Sequence, residues 1–132
     1  MDVKISIPDD KIRGLLCCAL EGGSNYWYQI VGEELRDGLT HKDFQEGGSQ
    51  TGETYWHPSQ LIPFVEGCSV VFSTDDDPDS RYKLDKAAIE KGLALMQQKY
   101  TRHWGDFMAE NDDATTGDVF LQLCLFGSVV YG

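Results

Sequence analysis

Residues 68 to 107 constrain the fold more than any other part of the sequence, because they set two strand signals directly against a long helical one. The run CSVVFST (68–74) is rich in β-branched residues, DDDPDS (75–80) has the composition of a turn, and RYKL (81–84) reads as the returning strand. Asp85 then stands where a helix N-cap belongs, and Ile89, Leu93, Met96, Tyr100, His103 and Phe107 recur at spacings of four and three. Leu84 and Ile89 occupy the two positions of a hydrophobic staple. A hairpin with an apolar face and a helix with an apolar seam must cover one another, so the chain is predicted to be α+β.

The remaining segments extend that scheme. VKISI (3–7) alternates as a strand with Val3, Ile5 and Ile7 on one face, and Pro8 ends it. Asp9 is positioned to cap a helix whose stripe is Ile12, Leu15, Leu16, Ala19 and Leu20, stopped by Gly22 or Gly23 in the left-handed conformation. NYWYQIV (25–31) reads as a strand with Tyr26, Tyr28 and Ile30 on one side and Trp27, Gln29 and Val31 on the other. Periodicity is lost from Gly32 to Gly52, a short helix begins near Pro58, and Pro63 limits it. A last helix is predicted from about Thr116 through Phe126, with Thr115 and Asp118 arranged as a capping box and Gly127 closing it. SVVYG follows as a short strand. With 132 residues the chain fits one α+β domain, 1–132. Its small antiparallel sheet has about four strands, near 3–7, 25–31, 68–74 and 81–84, packed against two or three helices.

Charge narrows the partners. Twenty-two acidic residues against eleven basic ones give a net charge of −11, which disfavours direct nucleic-acid binding and favours basic partners; the plain reading is that the charge keeps the protein soluble, the sharper one that it mimics DNA. No basic leader precedes a long apolar run, and no segment approaches about 18 consecutive apolar residues, so the expected setting is the cytoplasm, away from membranes. Cys17, Cys18, Cys68 and Cys124 have no metal-site spacing and read as free thiols, while His41, His57 and His103 lie in separate segments. Asp75, Asp77 and Asp79 imitate the start of a calcium loop, but Pro78, Ser80 and Lys86 stand where that loop needs other residues. No catalytic, cofactor or metal residues are assigned, since the motifs of the well-marked hydrolase, nucleotide triphosphatase and dinucleotide classes do not occur.

Aromatic residues give the candidate binding set: Asn25, Tyr26, Trp27, Tyr28, Tyr55, Trp56 and His57. A Trp beside a Tyr can stack on a base or anchor a protein partner, and the same residues can equally serve as core or as a self-association surface that makes a homo-oligomer. The glycine pair in EGGSNYW follows a helix where a phosphate cradle would precede one.

The segments LEGGSNYWY and DATTGDVFLQLCLFGSVVYG, together with the helix from Asp85, resemble a family of small proteins encoded by tailed bacteriophages and prophages. The resemblance implies a viral origin and an accessory role in the infected bacterium; it carries over no catalytic residues, and Gly32 to Gln60 has no counterpart in it. The expected function is binding: blocking or sequestering a component of host defence, either a host protein that itself binds nucleic acid or a small nucleotide signal. The alternative is an enzyme in which carboxylates work with a histidine such as His57.

Overall fold

A computed structural model describes residues 7–44 and 57–132. Its sheet has three antiparallel strands in the order β1 (Tyr28–Glu34), β2 (Ser69–Thr74), β3 (Asp77–Leu84). The β-branched, aromatic run of β2 takes the central position, where both edges of a strand are paired. Val70 and Phe72 are buried on the face that also carries Leu84 and Tyr82 from β3 and Tyr28 from β1. The expected strand at 3–7 lies almost wholly outside the described residues. Several strand boundaries differ from the sequence reading. The hairpin turn shrinks to Asp75 and Asp76, with Asp77 already in β3. The first strand begins at Tyr28 instead of Asn25, because Ser24–Trp27 forms a turn in which Trp27 and Tyr28 donate backbone bonds to the Ser24 carbonyl. β1 then runs on to Glu34, and Val31 is a bulge residue with no partner on β2.

The helices are α1 (Asp9–Cys18), α2 (Pro58–Leu61), α3 (Lys86–Lys99), α4 (Thr101–Met108) and α5 (Ala114–Phe126). α5 is apolar nearly all round, and a helix of that composition is buried on most sides. Phe120, Leu121 and Leu123 are inaccessible, and α1 and α3 both pack on it. The Leu84–Ile89 staple is in place: both side chains are core, and Asp85 accepts a bond from the Ala88 N–H. The single long helix predicted from Asp85 is two. Tyr100 leaves helical geometry (φ −127°, ψ 56°), and α4 turns so that His103 Nδ1 meets Thr116 Oγ1 at 3.1 Å. α5 begins earlier than predicted, capped by Asp113, whose carboxylate accepts from the Thr116 N–H; the Thr115–Asp118 capping box does not form. Gly127 does close the helix in the left-handed conformation, φ 76°. SVVYG is not a strand.

Gly22 and Gly23 act differently from expectation. α1, with Pro8 rather than Asp9 at its N-cap, continues into a π-helical turn over Ala19–Gly23, and neither glycine is left-handed. Gly23 is required by proximity: a Cβ there would lie 2.0 Å from the Ala114 carbonyl oxygen. Gly117 is similarly pressed on α1 and the π turn, its virtual Cβ 2.6 Å from the Ala19 nitrogen. Gly14, by contrast, has nothing within 4 Å. Gly14→Ala is therefore expected to stabilise the protein by up to about 1 kcal/mol through helix propensity. Gly117→Ala is expected to destabilise it by about 1–3 kcal/mol, because the obstructing atoms are backbone and cannot swing aside. Urea unfolding of the two variants checks the opposite signs.

Candidate functional site

Where the chain passes from the π turn into β1, it lies against α5 and the final residues, so the segments LEGGSNYWY and GSVVYG meet. Their junction is one carboxylate. Asp118 Oδ1 accepts from Ser24 Oγ (2.8 Å), Trp27 Nε1 (2.8 Å) and Gln122 Nε2 (3.1 Å), and Oδ2 accepts from the Tyr26 hydroxyl at 2.8 Å. A buried indole N–H needs an acceptor, and this one has a charged acceptor. Gln122, fully buried one helical turn on, clamps the tail: its Oε1 accepts from the N–H groups of Val130 (2.7 Å) and Tyr131 (2.8 Å), and its Nε2 donates to the Tyr131 carbonyl. Tyr131 stacks on Trp27 with ring centroids 5.2 Å apart and planes at 8°, and donates its hydroxyl to Asp76 at 2.6 Å. That bond holds the Asp76 carboxyl below the usual range and raises the Tyr131 phenol. Burial first, then the Asp118 carboxylate, pushes the Tyr26 phenol up to about 12, so it is a neutral donor throughout the physiological range.

These contacts locate the predicted site residues. Trp27 is 2% exposed, with Tyr131 stacked on it and Phe126 tilted against it, so in this arrangement a ligand has no access to stack on the ring. Tyr28 is half-buried and donates to the Leu20 carbonyl. Tyr26 is 52% exposed but spends its hydroxyl on Asp118, and Asn25 is exposed beside it. His57 is exposed and caps α2: it accepts from the Ser59 N–H, while its own N–H donates to Gln60 Oε1. Its partners are thus not the Tyr26–Tyr28 set. Tyr55 and Trp56 lie outside the described residues. Sequence reasoning gives Asp118 only a capping role and misses Gln122 and Tyr131. The available signal is the spacing of Asp118 and Gln122, two polar side chains a turn apart in the otherwise apolar stretch DVFLQLCLF (118–126).

Reactive chemistry finds little support in the same region. Burial and Glu21 push the Cys17 thiol up to about 11, burial and Asp112 raise that of Cys18, and burial raises that of Cys124, so these side chains are thiols at neutral pH. Among the described residues no cluster of three or more His, Cys, Asp or Glu is arranged to hold a metal ion, and no helix is long and apolar enough to cross a membrane. A cavity of about 330 Å³ lies over the start of α3, where Glu34, Glu66 and Asp85 face Lys83 and Lys86. That balance of charge is unfavourable to a phosphorylated ligand.

The outward features suited to recognition are aliphatic and acidic. Ile30 and Val31 on β1 are 42% and 44% exposed, followed in the strand by Glu33 and Glu34. Glu33 accepts from His41, and Glu34 reaches across the sheet to Lys83 at 2.7 Å. Asp75 and Asp76 sit at the other end of β1, where the Asp75 N–H donates to the Trp27 carbonyl and Gln29 donates to the Asp75 carboxylate. Set against known proteins, the chain matches no family model, no curated protein and no solved structure.

Proposed function

We propose that this is a phage-encoded accessory protein that works by binding a host protein, one with a basic surface, and so keeps it from its own task. The observation that carries the reading is the division of labour among its recognition residues. Ser24, Tyr26, Trp27 and Tyr28 spend their polar atoms on Asp118 and Leu20, while aliphatic Ile30 and Val31 stay exposed along a strand flanked by carboxylates. A net charge of −11 steers such a surface towards cationic partners. The resemblance of its end segments to tailed-phage proteins supplies the biological setting, the cytoplasm of the infected bacterium. Sequestration of a small nucleotide is the weaker reading, since the indole is covered and the cavity beside Lys83 and Lys86 is ringed by three carboxylates.

The test is affinity capture from a bacterial host lysate followed by titration of the captured protein. A basic host protein is expected, with affinity falling about tenfold or more as NaCl rises from about 50 to 300 mM. A melting-temperature rise produced by a nucleotide alone, with no protein captured, would overturn the reading.

A further inference from the structure

Resting on that reading, we propose that the outer edge of β1 is the binding surface, and that an extended, basic segment of the partner adds to it as a fourth strand. Among the described residues nothing pairs with that edge, and every residue of β1 beyond Tyr28 is exposed. An end strand presents a row of N–H and C=O groups that another chain can complete.

The two edges of the sheet are not alike. β3 carries Pro78, Arg81 and Lys83, with Asp77 and Asp79, and proline and lysine are among the devices, with bulges and other charges, that keep foreign strands away. β1, YQIVGEE, carries neither proline nor a cation. Its one irregularity, the bulge at Val31, leaves that side chain unmatched on β2 and 44% exposed beside Ile30. The strand thus has an aliphatic centre with Glu33 and Glu34 at one end and, at the other, Asp75, which accepts from Gln29, while Asp76 beyond it accepts from Tyr131. His41 and Lys83 each engage one oxygen of that first pair.

The matching ligand follows from this pattern: a short strand with a branched aliphatic residue at its middle and Lys or Arg towards both ends. A second copy fits less well, because each brings a net charge of −11.

The probe is a blocked octapeptide alternating valine and lysine, added to the full chain while backbone amide resonances are followed. Saturable shifts are expected on Tyr28–Glu34, with a midpoint on the order of 100 µM. A valine–glutamate peptide of equal length is expected to produce none. Val31→Lys and Ile30→Lys, both at exposed positions, should each weaken binding tenfold or more while leaving the other resonances in place.

Shifts confined to Asp75–Asp79, no shifts at all, or undiminished binding by both lysine variants would overturn the proposal. A homodimer that Val31→Lys dissociates would overturn it as well, by giving the edge to a second copy. If the lysine variants still capture the host protein, the edge inference falls and the binding function stands; if no host protein is captured, both fall.

Discussion

Asp118→Ala is expected to lower the unfolding free energy by about 3–5 kcal/mol, since each buried donor left unsatisfied costs about 1–3 kcal/mol. In a chain of this size that corresponds to roughly 10–20 °C in melting temperature. The substitution strands three buried donors at once, on Ser24, Trp27 and Gln122, and also releases the exposed Tyr26 hydroxyl. The penalties do not simply add, because Asp118 is only half-buried and water can reach part of the gap. Asp118→Asn keeps the shape and one acceptor oxygen, so about half the loss is expected. Urea unfolding measures both. A loss below about 1 kcal/mol for the alanine variant would mean that the four donors are satisfied by solvent and that Asp118 does not organise the junction.

Trp27→Ala is expected to cost about 3–5 kcal/mol, as large-to-small changes at buried aromatic positions do. The cavity opens against Tyr131 and Phe126, and Asp118 loses a donor. Trp27→Phe separates the two contributions, since it retains most of the ring and removes only the N–H; about 1–2 kcal/mol is expected for it. The two alanine substitutions share a bond, so a double-mutant cycle should show coupling of about 1 kcal/mol or more. Unchanged stability of Trp27→Ala, with lost partner binding, would instead give the indole a role in recognition.

Locally encoded features were legible in the sequence. The staple of Leu84 and Ile89, the cap at Asp85, the β2–β3 hairpin and the left-handed Gly127 each depend on residues a few positions apart, and each is present. Two descriptions fail, and one choice stays open in the sequence, for a common physical reason. The break at Tyr100 is invisible because the apolar seam keeps helical spacing across it; the turn of α4 towards Thr116 is a tertiary preference. The left-handed backbone expected at Gly22 or Gly23 is absent although the helical turn does end at Gly23, because Gly23 serves to make room for the Ala114 carbonyl. The aromatic triplet offered two roles, and the choice between them rests on Asp118, separated from Trp27 by 91 positions. Sequence composition named the donors in SNYW; only the fold supplies their acceptor.

The 91-residue span between indole and carboxylate also bears on how the protein is made. Synthesis runs from the N-terminus at about 5–20 residues per second, so for roughly 5 to 20 seconds a nascent chain carries an unprotected tryptophan with nothing to shield it. The clamp on Val130 and Tyr131 comes later still. Until the codons for Val130 and Tyr131 are read, the growing polypeptide is an easy target for chaperones and proteases, and truncation before Val130 should yield little surviving product.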